Sequence, residues 1–588
     1  MSYRPPVAEM AFTMRHVAGL DAAIAAGAHG DLAPEDAVAV LKEAARLAGS
    51  VIAPLDRAGD RYGAKLTDGK VATAPGWRTA YQAFVDGGWN GLGAPVEHGG
   101  QGLPHLLSAA CNEMWNGASL AFGLCPLLTA GGIEALAAHG SDALKAAYLD
   151  KLISGEWTAT MNLTEPQSGS DLSTLRTRAE PRGDGSYAIT GAKIFITYGE
   201  HDLADNIVHL VLARLKDAPA GTRGISLFLV PKILPDGSRN DLRCSGLEHK
   251  LGIHGSPTCS MAFGDAGGAT GWLVGEENRG LACMFTMMNS ARLNVGLQGV
   301  GAAEAATQRA IAYANERRQG RAPGSAEGSS PIAAHPDVQR MLLTMKALTD
   351  AARGICYLTA AALDAAEGPE GRAAHDRASL LTPVAKAFAT DIANEVASLG
   401  VQVHGGMGFV EETGAAQHMR DARILAIYEG TNGIQAIDLV QRKLPLNEGA
   451  TARAQIAAMR AVAEGVLKDG HAGFGHTAAR LRAGIESLDR ATSFQLAALR
   501  SNRPEEALAG ATPYLRLFGL AQGAACLAAA GLASSRALKE GSDDPADSAR
   551  IALARFFAEN LLTAAGGLEQ TVIEGGGFVG DAAAILAV

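Results

Sequence analysis

The hydrophobic periodicity changes twice along the chain, and that change limits the possible folds more than any other feature of the sequence. From Leu41 through Leu47, Val51, Ile52 and Leu55, apolar residues recur every three or four positions, as they do through 107–115 and 131–152. That spacing reads as helix. Between 186 and 230 the text turns into short runs rich in β-branched residues (186–197, 207–215 and 224–230), bounded by Gly, Asp and Pro. Such runs predict strands. Helical spacing returns from Met284 to about Val440, interrupted by the loop GRAPGSAEGSSPIAAHPD at 320–337. Beyond Leu444-Pro445 an Ala-rich helical region continues, broken by GSDDPAD at 541–547 and by Gly575 to Gly577. Helices, then strands, then two more helical blocks predict an α+β protein with segregated parts, not an alternating βαβ sheet. The expected divisions are an extension at 1–34, an N-terminal helical domain at 35–157, a central antiparallel β domain at 158–282, a helical bundle at 283–446 and a C-terminal helical domain at 447–588.

With 47% hydrophobic and 5% aromatic residues, and with Ala and Gly abundant, the helices are expected to pack closely. A net charge of -10 and a pI of about 5.9 speak against a nucleic-acid binder, which normally carries a basic face. Cys111, Cys125, Cys244, Cys259, Cys283, Cys356 and Cys526 are scattered, with no CxxC pair and no HExxH or Cys/His cluster. They read as buried reduced thiols, with no metal site and no disulfide frame. The start, MSYRPPVAEMAFTMRHVAGL, has Arg4 and two prolines but no long apolar core, so neither a signal peptide nor a membrane span is expected there. A cytoplasmic location is the expectation.

Gly299-Val-Gly301 imitates a dinucleotide fingerprint, but it lies within a helical pattern and follows no strand, so close helix packing is the better account. P-loops and GxSxG elbows are missing from the sequence. The run Met161-Asn-Leu-Thr-Glu-Pro-Gln-Ser-Gly-Ser-Asp171 is richer in chemistry. Its hydroxyls, at Thr164, Ser168 and Ser170, and the amides around Gly169 make a donor-rich loop at the edge of the β domain. Such a loop suits a heteroaromatic ring or a phosphate, and on its own it is equally a plain polar turn.

That run resembles the TEPxxGSD signature of the acyl-CoA dehydrogenase family. Five further segments agree in order: Gly99-Gly-Gln-Gly102 after Pro95, Gly191-Ala-Lys-Ile-Phe-Ile-Thr197, Leu251-Gly-Ile-His-Gly-Ser-Pro-Thr258, Gln402-Val-His-Gly-Gly-Met-Gly-Phe409 and the closing IYEGTNGIQ at 427–435. The resemblance implies a helical domain, a β domain and a four-helix bundle with FAD at their junction, in dimers or tetramers. It assigns Met161, Leu163, Thr164, Gly169 and Ser170 to the flavin, with Ser170 between cofactor and substrate. Phe195, Ile196 and Thr197 would pack on or bond the isoalloxazine; a plain core aromatic is the other account of Phe195. Arg317 and Gln319 would reach the FAD pyrophosphate region, although Arg318 and Arg321 beside them also suit a solvated charge cluster. Gln402, Gly405 and Gly406 would touch the adenine half, in this family often across a subunit interface, and Thr431 would bond FAD at the bundle end. Arg292, Tyr428 and Gly430 would line the substrate. One departure is Gly433, where many members carry Gln or Glu; Gln435 is open as a substitute. The long tail and the motif EHKLGIHGSPTC resemble a larger bacterial subgroup that includes enzymes of 3-methylmercaptopropionyl-CoA.

The stretch AIYEGTNGIQ at 426–435 then acquires a chemical reason. In the implied reaction an acyl-CoA becomes its trans-2-enoyl form: the α-hydrogen leaves as a proton to Glu429 and the β-hydrogen as hydride to flavin N5. A solvated carboxylate is too weak a base for this. The thioester carbonyl must accept hydrogen bonds that stabilise the developing enolate, and Glu429 must be desolvated, its pKa rising from about 4.3 toward roughly 6 to 7. In the resemblance one of those donors is the backbone N–H of Glu429. Apolar Ile427 and Tyr428 before it, and Gly430 to bend the chain after it, suit such a base. Some relatives place the base just before an arginine matching Arg292; here that position is Ala291, which accepts no proton. The expected electron acceptor is an electron-transfer flavoprotein. Two rival readings remain: an acyl-CoA oxidase using O₂, and a flavoprotein that binds DNA through its helical tail. Against the second, the tail's Arg482, Arg490 and Arg500 are interleaved with Glu486 and Asp489. Acyl chain length depends on the pocket floor, for which Met284, Met287 and Met288 are adaptable candidates that equally suit a simple core.

Overall fold

The β-branched runs become strands in the computed structural model, which describes residues 3–325, 328–368, 371–501, 503–580 and 582–587. Ten strands occur among them: β1 (Lys65–Thr67), β2 (Lys70–Ala72), β3 (Trp157–Asn162), β4 (Arg178–Pro181), β5 (Tyr187–Thr197), β6 (Asn206–Leu215), β7 (Ser226–Pro231), β8 (Leu242–Leu247), β9 (Thr258–Phe263) and β10 (Ala269–Val274). The last strand closes the central domain, because β10 pairs with β5 through Ala269–Gly271 and with β7 through Trp272–Val274. The order β5-β10-β7-β6-β4 thus returns on itself, with β9 and β8 added along the second half of β5. Most pairings are antiparallel, but β3 and β4 run parallel to β6, so the domain is mixed and not antiparallel throughout. β3 enters straight from the N-terminal helices and reaches β6 only after the chain has crossed through β4 and β5, the kind of long connection that parallel pairing requires.

Three long helices make the bundle: Gly280–Glu316, Pro336–Ala366 and Gly371–His404. The fourth element is not one helix. It is a series of short ones, Ala415–Ala422, Arg423–Ala426, Asn432–Asp438 and Leu439–Lys443, and the IYEGT turn falls in the gap. Gly299 and Gly301 lie deep in the first long helix. A Cβ on Gly299 would sit 2.6 Å from the Ala389 carbonyl, and one on Gly301 would sit 2.6 Å from Gly117 N. These glycines let helices meet backbone to backbone, as the sequence suggested.

The 1–34 extension packs on the rest of the chain. Helix Val7–His16 buries Met10 and Met14, and Phe12 lies under the Arg550 guanidinium, 3.7 Å from the ring centre. Arg550 also pairs with Glu9 at 2.7 Å, tying the two ends of the chain together. The β1–β2 hairpin went unforeseen, although Asp68-Gly69, both at positive φ, is a standard two-residue hairpin turn. Asn447, Glu448 and Gly449, all at positive φ, turn the chain into the C-terminal helices. There helix Ala511–Lys539 presses on the bundle through small residues: a Cβ on Gly519 would fall 2.2 Å from the Phe388 ring, and one on Gly523 would fall 2.8 Å from Ala351 Cβ. All seven cysteines are buried and unpaired. Among the described residues, two helices, Leu120–His139 and Ala511–Lys539, are long and apolar enough to cross a membrane, and 83% of each apolar window is buried inside the protein.

Candidate active site

Glu429 sits in the break of the fourth bundle element with φ +55°, followed by Gly430 at φ +79°. Two left-handed residues in a row are costly for any side chain but glycine, so the surroundings must hold the turn. They do so through both carbonyls. Gln435 Nε2 donates to Glu429 O (3.2 Å) and Gly430 O (3.3 Å), and Lys386 Nζ donates to Gly430 O (2.9 Å). Behind the turn Thr431 Oγ1 accepts from Ile434 N at 3.2 Å and starts helix Asn432–Asp438. The Thr431 side chain is therefore engaged as a helix cap, and Gln435 is drawn inward to the turn. Asn432 is held by Ala387 O, Thr390 Oγ1 and Asp391 Oδ1, the last at 2.6 Å.

Burial pushes the Glu429 carboxyl above the ordinary carboxylate range, while the charges of Arg292 and Lys386 pull it back. Arg292 is 8% exposed; its Nη1 lies 3.5 Å from Asp438 Oδ2, and its Nε has no partner among the described residues. Lys386 is fully buried, and desolvation lowers its pKa to about 7 despite the attraction of Glu429 and Asp391. Tyr428 donates its hydroxyl to Gln298 Oε1 at 2.5 Å. Ile427 is 46% exposed, whereas Tyr428 packs against the core. Glu429 N–H has no protein acceptor among the described residues.

The second group of expected residues forms the loop after β3. Met161 is buried and Leu163 partly buried in the cluster that also holds Met284, Met287, Met288 and Ala291, which sets this loop against the start of the first long helix. Glu165 anchors it. Its carboxylate accepts from Thr177 N, Thr177 Oγ1 and Arg176 N and pairs with the buried Lys193 Nζ at 2.9 Å; Lys193 also donates to Leu163 O at 3.0 Å. Thr164 O accepts from Ile194 N, joining loop to strand, while Gly169 and Ser170 are exposed at the tip. In β5 the register shifts between Lys193 and Ile196, and Phe195 at this bulge has φ +60° and is 59% exposed. A bulge re-aims a side chain, here turning a large aromatic outward. The Ile196 side chain instead lies in the β-domain core, leaving Phe195 exposed and Thr197 half-buried on either side of it.

The remaining expected residues lie elsewhere. Arg317 and Gln319 are exposed and bonded to each other at 3.2 Å. Gln402, Gly405 and Gly406 are exposed close by, where Tyr313 stacks on His404 at 4.3 Å. Arg317 stands 25 positions beyond Arg292 at the end of one continuous helix, about 37 Å away at 1.5 Å per residue. One chain therefore does not bring all the expected cofactor residues to one place.

Family models match along the chain: Acyl-CoA dehydrogenase N-terminal domain at 34–156, middle domain at 160–266 and C-terminal domain at 278–444, followed by Acetyl-CoA dehydrogenase C-terminal like at 454–581. A 3-methylmercaptopropionyl-CoA dehydrogenase of Ruegeria pomeroyi is 51% identical over 96% of both chains. The chain belongs to the acyl-CoA dehydrogenase family. Within that family, a butyryl-CoA dehydrogenase of Syntrophomonas wolfei is 38% identical over 68% of each chain. Two solved acyl-CoA dehydrogenase folds superpose over nearly the whole length: Caenorhabditis elegans ACDH-11 in complex with C11-CoA (TM-score 0.78, 20% identity, 95% of this chain and 92% of that one) and an acyl-CoA dehydrogenase complexed with FAD from Bacillus anthracis (0.74, 22%, 92% and 88%). The C-terminal helical region, whose role the sequence left open, is thus a feature this acyl-CoA dehydrogenase shares with longer relatives.

Sequence reasoning missed Lys386 and the task of Gln435. Lys386 lies outside the quoted motifs, and its only signal was a lone charge in the apolar text of Leu380 to Ala389.

Proposed function

We propose that this acyl-CoA dehydrogenase uses Glu429 to take the α-proton of a short acyl-CoA while the β-hydrogen leaves as hydride, giving the trans-2-enoyl-CoA, and that its thioester is 3-methylmercaptopropionyl-CoA. The observation that carries the mechanism is the setting of Glu429: a half-buried carboxyl made more basic by desolvation, with the charges of Arg292 and Lys386 opposing that rise, beside a backbone N–H with no protein acceptor among the described residues. That N–H is the donor for the thioester carbonyl, where negative charge grows as the proton leaves. The substrate assignment is supported by the 51% identical relative of that name.

FAD is the cofactor of this family, and when bound it supplies the hydride acceptor. The residues present fit it: Phe195 offers an exposed ring, and at Gly169, Gly405 and Gly406 an added Cβ would meet nothing within 4 Å, leaving room for a ligand against the backbone. The distance between the two groups of candidate residues supports a homo-oligomer in which a second copy contributes Arg317, Gln402, Gly405 and Gly406. Exposed Met407 and Phe409 (49% and 88%) beside those glycines suit such an interface. Electron-transfer flavoprotein is the proposed electron acceptor and the cytoplasm the proposed location. The tail arginines are engaged within the chain, Arg490 with Glu569 at 2.5 Å and Arg482 with Glu464 at 3.8 Å, which gives no support to DNA binding.

The test is anaerobic addition of 3-methylmercaptopropionyl-CoA, butyryl-CoA and longer acyl-CoAs to the purified flavoprotein, followed by flavin absorbance. Fast bleaching by 3-methylmercaptopropionyl-CoA, slowed about 10²- to 10⁴-fold in Glu429→Gln with FAD still bound, is the expected result. Bleaching by none of the thioesters, or an undiminished rate in Glu429→Gln, refutes the reading. Stoichiometric peroxide in aerobic turnover assigns an oxidase instead.

A further inference from the structure

Lys386 lies in helix Gly371–His404 and is fully buried, yet it takes part in neither of the expected ligand sites. Its ammonium donates to Gly430 O at 2.9 Å and to Asn432 Oδ1 at 2.8 Å. Both acceptors belong to the turn that carries Glu429. A buried ammonium normally needs a carboxylate contact, and this one makes none within salt-bridge distance among the described residues. The charges that act on it are Glu429 and Asp391, which favour its protonation, and Arg292, which opposes it. Asp391 in turn bonds Asn432 and feels Arg516 and Arg423.

The helix carrying Lys386 is itself braced from the C-terminal domain. Two residues on, Phe388 packs against Gly519, with the Arg516 guanidinium 5.4 Å from its ring centre. Arg516 also pairs with Glu395 on the same helix at 2.9 Å.

We propose that Lys386 is a positioning residue for the dehydrogenation: its ammonium locks the Gly430 carbonyl, and with it the left-handed Glu429-Gly430 turn, and presents a positive charge to the Glu429 carboxylate, while helix Ala511–Lys539 holds Lys386 in register. The inference rests on Glu429 being the base. Without Lys386 the turn keeps only the two long bonds from Gln435, and the carboxylate keeps only Arg292 as a cation. The position and the basicity of Glu429 both change.

Lys386→Met removes donor and charge while keeping an unbranched stem. The expected result is a limiting bleaching rate lower by roughly 10²-fold, the scale of a misplaced catalytic group, with FAD content kept and acyl-CoA affinity within about threefold. The acid limb of the pH–rate profile moves to higher pH, because a cation that favoured ionised Glu429 is gone. Amide hydrogen exchange in the 427–435 peptide quickens at least about tenfold. Wild-type rate with an unmoved acid limb overturns the proposal; so does a loss of rate that only follows loss of FAD or of acyl-CoA affinity. Asn432→Ala, made alongside, keeps the charge but removes one acceptor; about a three- to tenfold fall in rate with the acid limb in place is expected, and an unchanged rate overturns the proposal even where Lys386→Met does not fold. If Glu429→Gln bleaches at the wild-type rate, the reading of the base fails, and hydrogen exchange in the 427–435 peptide decides separately whether Lys386 or Asn432 locks the turn.

Discussion

Replacing Gly430 with alanine loads the catalytic turn and almost nothing else. At φ +79° an L-residue with a Cβ costs about 1–2 kcal/mol. The new Cβ also lands 2.7 Å from Gln435 Nε2, so that amide must retreat from the carbonyls of Glu429 and Gly430, forfeiting about 1 kcal/mol of hydrogen bonding. Together these disfavour the native turn by about 2–3 kcal/mol, which at 1.4 kcal/mol per decade lowers its population relative to displaced forms roughly 30- to 140-fold. Only the native turn aims the carboxylate, so the limiting rate of flavin bleaching by acyl-CoA is expected to fall by that factor while FAD stays bound. Gly433→Ala is the control: its φ is ordinary, and the nearest atom to an added Cβ is Thr431 Oγ1 at 3.7 Å. That variant is expected to bleach at the wild-type rate. A Gly430→Ala rate within threefold of wild type refutes the claim that the left-handed turn places the base.

Three other outcomes follow from the structure. Lys193→Met strands the buried Glu165 carboxylate, a break that costs about 3–5 kcal/mol, and should lower the thermal midpoint and loosen FAD, read as flavin released on dilution. Glu165 is held at about 2 by Lys193 and its hydrogen bonds, so its stabilisation is present above its unfolded pKa and lost as pH falls through about 2; in Lys193→Met that loss begins at higher pH in acid-unfolding curves. Gly299→Ala drives a methyl against the Ala389 carbonyl and should cost about 1–3 kcal/mol in urea unfolding, with activity per folded molecule retained. Glu367 raises the pKa of His105 to about 9, so the His105 contribution is complete below its unfolded value of about 6.5 and disappears as pH rises through about 9; His105→Gln should flatten the decline in melting temperature across that window.

Much of this architecture was readable because the sequence states it locally. The strands carry β-branched runs, the bundle carries helical spacing, and each motif loop is short enough to be recognised from one stretch of text. The Lys193–Glu165 pair was inside two quoted motifs, yet nothing in either segment says that the two meet, because they are 28 positions apart and joined only by the fold. The same holds for parallel pairing of β3 with β6 and for Ile196. Alternation would turn Phe195 and Thr197 to one face, but the β-bulge that turns Phe195 outward is a property of the register against β9, not of the strand itself.

The catalytic turn shows why such long-range terms matter most at the site. Locally the sequence can say only that a glycine follows an acid and that a helix restarts at Thr431. What the proposed base, Glu429, draws on is contributed from elsewhere: desolvation, Arg292 from the first long helix, Lys386 from the third, and Gln435 from the helix that the turn begins. Each is costly alone. A left-handed Glu, an ammonium with no carboxylate contact and a guanidinium nitrogen with no partner would all destabilise a protein that had no use for them. Their concentration at one turn, braced from behind by Phe388 and the C-terminal helix, is what a carboxylate needs in order to be ionised, desolvated and fixed in place at the same time.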